Sequence, residues 1–464
     1  MRLISVLVSV FLAAVEMVIG QQPVVLSGVT VIDGTGAPPL PDAVVVISQG
    51  RITAVGRRGQ ISVPGNAAVQ ELPGRYLLPG FIDMHAHVAF GPVTVGKNPG
   101  EPPLSFKYDE AASLQMLRAL LAYGVTTIRN PAGPTAEAVA LRDRVGRGEV
   151  PGPRTFAAGE VIDFMTTPGL GVGAATDSAV RVAVRAQAKA GVDYIKLYAG
   201  LAPALLAAGV DEAHRHGLKA IAHPLFTSWT EAARSGIDGI VHIVPGNPRL
   251  LPPGRRPAYL KSITGTQFMY TWFEYVDFAA PEIDTMITAL TTRNIPIDPT
   301  LVTFEAMFRG NDTLITRSPD LITTPGSLLR NWQQDFTLSM GWTQDEFRAA
   351  QSAWPTVLAF TKLLYDRGVF LLVGTDTPNP WAAPGTSFHR EMELLVNAGI
   401  PPLEVLRLAT RNGAEALGIS NEVGTIAVGK RADLVLLETD PVADIRSTRR
   451  IVWVMQGGRI LPRP

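Results

Sequence analysis

The chain has 464 residues, of which 46% are hydrophobic and 18% are charged. This composition is typical of a globular protein with a large core, and the length allows one large domain plus a smaller companion. Lys plus Arg number 41 and Asp plus Glu number 41, so the formal net charge is zero. A neutral chain without a basic run does not attract nucleic acid or an anionic membrane surface, and we expect neither as a partner.

The chain contains no cysteine. This excludes a disulfide framework, a thiolate nucleophile and any site with Cys-ligated zinc or iron–sulfur. A metal ion would therefore be held by His, carboxylate or modified Lys, which suit borderline to hard divalent ions.

The first twenty residues predict a signal peptide. Arg2 supplies a positive start, residues 3–19 form a short apolar segment, and Val18 and Gly20 are small residues at the positions that a signal peptidase reads. We expect a mature chain that is exported, periplasmic or extracellular, with residues 1–20 removed; an uncleaved anchor is the alternative. No later segment is long and apolar enough to predict a membrane span.

Short β-branched strands occupy both ends of the mature chain. Between residues 21 and 76 they alternate with turn residues, and they return within residues 412–464, where Gly457 and Gly458 mark a hairpin. Because chain termini commonly lie close together, these two segments predict one small β-sandwich domain.

Residues 77–411 alternate short apolar strands with helical patterns. Eight such repeats predict an α/β fold of the (β/α)8, TIM-barrel type, with strands that are buried on both faces. The candidate strands are 80–87, 125–130, 154–159, 193–198, 219–223, 239–244, 295–301 and 369–376.

Two long insertions follow barrel strands, at residues 245–279 and 309–347. They would lie on the face where barrel enzymes keep their active sites, so we expect lids or pocket walls, with surface decoration as the alternative.

The first candidate strand ends with two histidines two residues apart, His85 and His87. Residues i and i+2 of a strand project to the same face, so both imidazoles would point into the barrel near its open end. This arrangement favours metal ligation over a core hydrogen bond. Asp83 shares the face, either orienting an imidazole or serving as an ordinary strand-end carboxylate.

Lys196 ends the fourth strand between apolar neighbours. An unpaired ammonium inside a barrel is costly, so the group must be paired, neutralised or chemically changed. A neutral amine can take up carbon dioxide to form a carbamate able to bridge two metal ions. The alternatives are a side chain that reaches solvent or pairs with a carboxylate.

Three more candidate ligands end later strands: His223 the fifth, His242 the sixth and Asp376 the eighth. Strand ends converge at one mouth of a barrel, which favours shared metal binding over isolated core roles. Asp376 could also accept a proton from an attacking water as the general base, or merely cap a helix.

Three histidines remain. His214 and His216 lie two apart near a predicted helix end and therefore not on one face, which predicts surface residues. His389 begins the helix after the eighth strand, and both a role beside Asp376 and a plain surface position stay open.

Together these residues resemble the amidohydrolase superfamily. The flanking sequences LLPGFIDMHAH and LRLATRNGAEALGI agree, as does GTIAVGKRADLVLLETDP near the end. Within the superfamily the chain is similar to the imidazolonepropionase-like and Xaa-Pro dipeptidase-like branch, through IVHI, the PTL after the seventh strand, and FHREMELLVNAGI. The resemblance covers essentially the whole mature chain and rests on six candidate ligands: His85, His87, Lys196, His223, His242 and Asp376.

The resemblance implies two divalent metal ions, usually zinc. His85, His87 and Asp376 would hold the more buried ion, and His223 and His242 the more exposed one. The carbamate of Lys196, formed with carbon dioxide, would bridge them. A metal-bridging hydroxide would attack the substrate carbonyl, with Asp376 as general base.

The chain departs from the branch pattern around the substrate. Leu225 stands where relatives often have an aromatic residue, and Arg129 with Asn130 stands where an acidic residue is common. We assign Tyr198 and Arg129 as candidate substrate contacts.

The sequence therefore predicts a hydrolase of small-molecule amides, acting on carbon–nitrogen bonds in a dipeptide, an N-acyl amino acid or a cyclic amide. An esterase or lactonase using the same centre is one alternative, and a non-catalytic exported binding protein is another. The sequence allows a homo-oligomer but does not fix the oligomeric state.

Overall fold

A computed structural model describes residues 22–263 and 265–461. The predicted signal peptide, residues 1–20, lies outside the described residues. In the described part of the chain, no helix combines the length and the apolar character that crossing a bilayer requires.

The described residues form a mixed α/β structure. The strands are β1 (Val24–Val31), β2 (Leu40–Ser48), β3 (Arg51–Arg57), β4 (Ala68–Glu71), β5 (Tyr76–Pro79), β6 (Phe81–Asp83), β7 (Val93–Val95), β8 (Leu104–Phe106), β9 (Val125–Asn130), β10 (Arg154–Ala157), β11 (Val161–Asp163), β12 (Gly171–Gly173), β13 (Tyr194–Leu197), β14 (Lys219–Ala222), β15 (Gly239–Val241), β16 (Ile297–Asp298), β17 (Leu434–Leu437), β18 (Ile451–Gln456) and β19 (Arg459–Ile460). The α-helices are α1 (Glu110–Ala122), α2 (Thr135–Gly146), α3 (Asp177–Ala190), α4 (Pro203–Arg215), α5 (Trp229–Arg234), α6 (Arg256–Ser262), α7 (Phe268–Tyr275), α8 (Pro281–Thr292), α9 (Leu301–Phe308), α10 (Thr313–Thr316), α11 (Gly326–Gln334), α12 (Gln344–Asp366), α13 (Thr386–Asn397), α14 (Pro402–Arg407) and α15 (Gly413–Leu417).

The two ends of the described chain share one sheet. Its strands run in the order β19-β18-β17-β5-β1-β2-β3, and β4 also pairs with β1. β17 pairs antiparallel with β5, which sets Leu436 opposite Leu77. Apolar side chains from both ends of the chain bury a common core, including Leu26, Val45, Leu77, Leu434 and Trp453. The expected pairing of the terminal segments is therefore present as a single eight-stranded sheet.

The central region contains two sheets of parallel strands. One sheet has the order β10-β9-β6, and another contains β11, β13, β14, β15 and β16 in sequence order, with β12 beside β11. Isolated parallel bridges add contacts between Ala158 and Tyr194, between Ile297 and Leu371, and between Ala86 and Thr377. The first two bridges join consecutive predicted strands, and the third joins the first predicted strand to the residue that follows the eighth.

The predicted eighth strand, residues 369–376, is not a continuous strand and pairs only through isolated bridges. The Asp83 carboxylate explains the interruption, because it accepts the amide of Thr375 at 3.1 Å and the Thr375 hydroxyl at 2.7 Å. Asp376 then takes a left-handed backbone with φ of 59°. A side chain thus replaces a backbone acceptor where a regular ladder would continue.

The helices between the parallel strands follow ordinary helix chemistry, as α3 illustrates. The Thr176 side chain accepts the amide of Ala179 at its start, and Gly191 ends it with φ of 83°. Val180 and Val184, four residues apart on one face, are buried in the main core.

Both predicted insertions contain packed helices. Residues 245–279 include α6 and α7, and residues 309–347 include α10, α11 and the start of α12. Trp272 of α7 is fully buried against Phe360 of α12, with ring centroids 5.6 Å apart. The hairpin of β7 and β8 was not predicted.

The shared terminal sheet generates a stability prediction. Leu436 is fully buried in β17, so replacing it by Ala is expected to lower the free energy of unfolding by about 2–5 kcal/mol through lost burial and a residual cavity. Thermal unfolding followed by circular dichroism measures the effect. Ile460→Ala, at an exposed position of β19, is the control and should leave the midpoint unchanged; equal midpoints for the two variants would contradict the pairing.

Candidate metal centre

The backbone brings the first and eighth predicted strands together at their carboxyl ends. The amide of Asp376 donates to the carbonyl of His85 at 2.7 Å, and the amide of His87 donates to the carbonyl of Thr377 at 2.6 Å. These bonds set His85, His87 and Asp376 side by side although almost three hundred residues separate them in sequence.

Four side chains meet closely at this point. Nε2 of His85 lies 3.2 Å and Nε2 of His87 lies 3.1 Å from Oδ1 of Asp376. Nδ1 of His242 lies 3.8 Å from Oδ2 of the same carboxylate. One ligand atom each from His85, His242 and Asp376 lies within 4.8 Å of the others, and all three residues are buried. This group is a candidate metal site.

His223 and Lys196 line the same cavity as these residues. The His223 ring centroid is 4.4 Å from that of His242, and Nδ1 of His223 is buried without a hydrogen-bond partner among the described residues. Lys196 is only 2% exposed. All six predicted ligands therefore face one cavity.

Burial controls the protonation of the group. It lowers the pKa of Lys196 to about 7, so that a neutral amine is available near neutral pH. Burial also lowers the pKa of His223 to about 3 and the pKa values of His85 and His242 well below their ordinary value. Neutral imidazole is the form that ligates a metal ion, and neutral amine is the form that reacts with carbon dioxide.

Two residues outside the predicted ligand set hold the histidines in place: Asp298, and Thr300 of the PTL motif. Oδ2 of Asp298, at the end of β16, lies 2.6 Å from Nδ1 of His85. The Thr300 hydroxyl lies 2.8 Å from Nδ1 of His242. A carboxylate on Nδ1 fixes the tautomer that leaves Nε2 free as a ligand.

Arg129 completes this arrangement from the end of β9. Its guanidinium donates to Oδ1 of Asp298 and to the carbonyl of Met84, each at 2.9 Å. Burial raises the pKa of Asp298 to about 7, and the adjacent Arg129 guanidinium opposes that shift. Arg129 is 2% exposed and bound inside the fold, so this geometry favours a structural role rather than the substrate contact expected from the sequence.

The backbone is unusual at three residues of the site. His242, Thr300 and Asp376 have φ values of 70°, 52° and 59°, a left-handed region that is costly for residues other than glycine. Such conformations persist where surrounding contacts hold them, and they concentrate at functional sites.

The remaining predicted residues divide clearly. Tyr198 lines the cavity, and its ring centroid lies 5.3 Å from that of His223. Asp83 accepts the backbone amide of His85 at 3.0 Å and thus fixes the strand rather than an imidazole. His214 is partly exposed and pairs with Asp238 at 2.8 Å, as expected for a surface residue.

His389 takes neither of the two positions left open for it. The ring is fully buried and bonds to the Thr448 hydroxyl at 2.9 Å and the carbonyl of Tyr123 at 3.0 Å. It therefore links α13 to the segments that precede β9 and β18.

The cavity has a volume of about 320 Å³. Beyond the predicted ligands its walls come from the β7–β8 hairpin, α7, α9 and the segment around α11. Both insertions therefore contribute to the cavity wall, as expected.

Comparison with known proteins assigns the family. Residues 76–247 and 340–461, more than half of the chain, match the model of the Amidohydrolase family. The chain belongs to the Amidohydrolase family. The amidohydrolase is also 40% identical over 76 residues to an imidazolonepropionase of Brevibacillus brevis, an alignment that covers 16% of this chain and 18% of that protein. The aligned stretch thus spans less than a fifth of that curated relative.

Solved structures share the fold of this amidohydrolase over nearly its whole length. A protein from Bifidobacterium longum assigned as a prolidase has a TM-score of 0.70 at 24% identity, covering 96% of this chain and 95% of the other. A Xaa-Pro dipeptidase with bound methionine in its active site has a TM-score of 0.68 at 19% identity, covering 95% and 100%.

The side chains at the centre fit the metal ions that the family typically uses. Neutral imidazoles and a carboxylate are the ligands of zinc and similar divalent ions. The unpartnered Nδ1 of His223 is a buried donor atom that a metal ion would satisfy.

The placement of Arg129 generates a prediction. Arg129→Met should lower the free energy of unfolding by about 3 kcal/mol, because it removes one partner of a buried charge pair. Arg147→Met is the control, since Arg147 makes an exposed pair with Glu149 and should leave the thermal midpoint unchanged. A variant with wild-type stability but a raised KM would instead support a substrate contact.

Proposed function

We propose that this amidohydrolase is a metal-dependent hydrolase that cleaves an amide carbon–nitrogen bond of a small molecule. The observation that carries the proposal is the close approach of His85, His242 and Asp376 within 4.8 Å at the base of a cavity. The family assignment gives this group its chemical context.

We infer that the parallel strands close into an eight-stranded barrel over residues 77–411. The three isolated bridges support this, since two join consecutive predicted strands and the third links the first strand to the end of the eighth. We further infer that the shared terminal sheet, built from residues 21–76 and 412–464, curls into a small β-sandwich. Its common core from both chain ends supports that inference.

We propose two divalent metal ions, with zinc as the first candidate. His85, His87 and Asp376 would hold the ion deeper in the barrel, and His223 with His242 would hold the other. A carbamate on Lys196 would lie between them; the lowered pKa of this buried amine supports that modification.

The chain's own residues would then direct the proton. Metal ions at such a centre lower the pKa of water and polarise a carbonyl group. Oδ1 of Asp376 contacts His85 and His87, whereas Oδ2 lies 3.8 Å from Nδ1 of His242, beyond hydrogen-bond distance, and could accept a proton. Asp376 would take the proton from the attacking water and deliver it to the leaving amine nitrogen.

The substrate candidates are a dipeptide, an N-acyl amino acid or a cyclic amide. The names of similar proteins support this set, since they include an imidazolonepropionase and a Xaa-Pro dipeptidase. We also propose that the mature chain is exported, on the basis of its amino-terminal segment alone.

Metal content and hydrolysis test the proposal together. We expect close to two divalent metal ions per purified chain by inductively coupled plasma mass spectrometry, and amine release from simple amides. Lys196→Ala should remove activity and one or both metal ions, whereas exposed Lys189→Ala should change neither. Bicarbonate present during metal loading should raise the activity of metal-free protein.

The opposite results would contradict the proposal. Full turnover by Lys196→Ala would exclude the carbamate bridge. Purified protein with little metal, and no loss on Asp376→Asn, would favour the non-catalytic binding protein.

The Asp298–His85 contact generates a separate prediction. Asp298→Asn should weaken metal binding by about 10- to 100-fold, because the partner that orients the His85 imidazole becomes a neutral amide. Competition with a chromogenic chelator measures the affinity. Asp238→Asn is a matched control, since Asp238 also contacts a histidine, His214, but far from the cavity lining. Equal affinities for the two variants would contradict the role of Asp298.

A further inference from the structure

Aromatic and aliphatic side chains line the cavity that contains the candidate metal centre. They come from separate parts of the chain: the segment around the β7–β8 hairpin, α7, α9, and the region in and after α11. The aromatic and aliphatic side chains most relevant here are Phe90, Phe106, Met269, Phe304, Trp332 and Phe336.

The amide side chains in this wall are already engaged within the protein. Asn331 accepts the amide of Val93 and donates to the carbonyl of the same residue, each at 2.9 Å. Asn379 donates to the backbone carbonyl of Asp376 at 2.9 Å. These amides form hydrogen bonds within the protein, and, being uncharged, they do not provide a charged partner for a substrate.

Tyr198 differs from these amides. Its hydroxyl has no hydrogen-bond partner within residues 22–263 and 265–461, and its side chain lines the cavity beside His223. A phenol is neutral near pH 7 and can donate a hydrogen bond. The cavity therefore offers a neutral hydrogen bond to a substrate oxygen.

The ionisable side chains of the cavity belong to the candidate metal centre, with Tyr198 as the neutral addition. Within the described ranges, the cavity lining includes no arginine, and Arg129 is bound to Asp298 instead. Apart from Tyr198, the ionisable lining residues are the six candidate metal ligands: His85, His87, Lys196, His223, His242 and Asp376.

We infer that the substrate is an uncharged amide with an apolar group, aromatic or branched aliphatic, beside the scissile bond. This inference rests on the proposed function and narrows its substrate set. A free carboxylate against these walls would lose its hydration without gaining a cationic partner outside the candidate metal centre, which is costly. An aromatic group would instead bury apolar area against the side chains of Phe90, Phe304 and Trp332. Of the three candidate classes, neutral cyclic amides fit this inference. Dipeptides and N-acyl amino acids do not, because they carry a free carboxylate.

A matched pair of compounds tests the inference on the metal-loaded protein. N-(2-phenylethyl)benzamide and N-benzoyl-L-phenylalanine contain the same amide and the same two rings, and they differ only in the carboxylate. We expect kcat/KM for the neutral compound to be at least about 100-fold higher, since the charged one must strip its carboxylate of water. Release of benzoate is measured by liquid chromatography.

A cation placed in the wall should reverse the preference. Leu338 lines the cavity and is partly exposed, so an arginine there can reach the substrate. Leu338→Arg should raise kcat/KM for N-benzoyl-L-phenylalanine by about 10-fold through a charge-assisted hydrogen bond. Leu338→Gln, which is polar and of similar length but uncharged, is the control and should not produce this gain.

Binding separates the failure of this inference from that of the proposed function. If neither compound is hydrolysed, the amide-hydrolase proposal fails, and calorimetry of both compounds still measures the preference of the cavity. Tighter binding of the neutral compound supports the inference. Equal or better binding or turnover of the carboxylate by the wild-type protein overturns it, whether or not amides are cleaved.

Discussion

The contact between the segment after β6 and residues 373–377 is the constraint on which the candidate site depends. Three backbone hydrogen bonds, from Met84 to Val373, Asp376 to His85 and His87 to Thr377, tie these segments. The Asp83 carboxylate adds a fourth link through Thr375. These bonds fix the two segments relative to each other. As a result, two imidazoles and one carboxylate that are far apart in sequence face the same cavity. The left-handed backbone of Asp376 turns its side chain inward at that point.

A buried network of Arg129, Asp298 and His85 supports this contact. Asp298 lies between Arg129 and His85 and has its two oxygens occupied, one by each partner. Removing charges from water is costly unless each is paired and hydrogen-bonded, and this arrangement meets that condition for Arg129 and Asp298. Lys196 differs, since it has no ion pair among the described residues and its pKa is lowered by burial. That contrast is consistent with a lysine held for chemical modification, and with an arginine held for structure.

Much of the layout could be predicted from the sequence because parallel strands carry strong local signals. The strand at 125–130 was predicted to the residue, and the ligand candidates follow from strand ends, where side-chain direction is fixed by the two-residue repeat. The pairing of the terminal segments was also anticipated. The eighth strand was less regular than expected because Asp83 replaces a backbone acceptor, which depends on a residue almost three hundred positions away.

Roles that depend on long-range partners could not be read from the sequence. Arg129 lies at a strand end and was expected to face the substrate, yet Asp298 captures it across the interior. The available signal was a charged residue in each of two buried strands, Arg129 in β9 and Asp298 in β16. Nothing local in the sequence indicated that these two side chains pair. His389 was similarly ambiguous until Thr448 and Tyr123 were placed around it. The apolar cavity wall depends on how helices from both insertions fold over the centre, which no local pattern specifies.

The most direct test of the central claim is an anomalous-difference map from crystals of zinc-loaded protein, recorded on both sides of the zinc absorption edge. We expect two peaks, one bounded by His85, His87 and Asp376 and the other by His223 and His242, with continuous density from Lys196 between them. A map with no peak at the base of the cavity, or with Lys196 unmodified and turned away from the peaks, would contradict it.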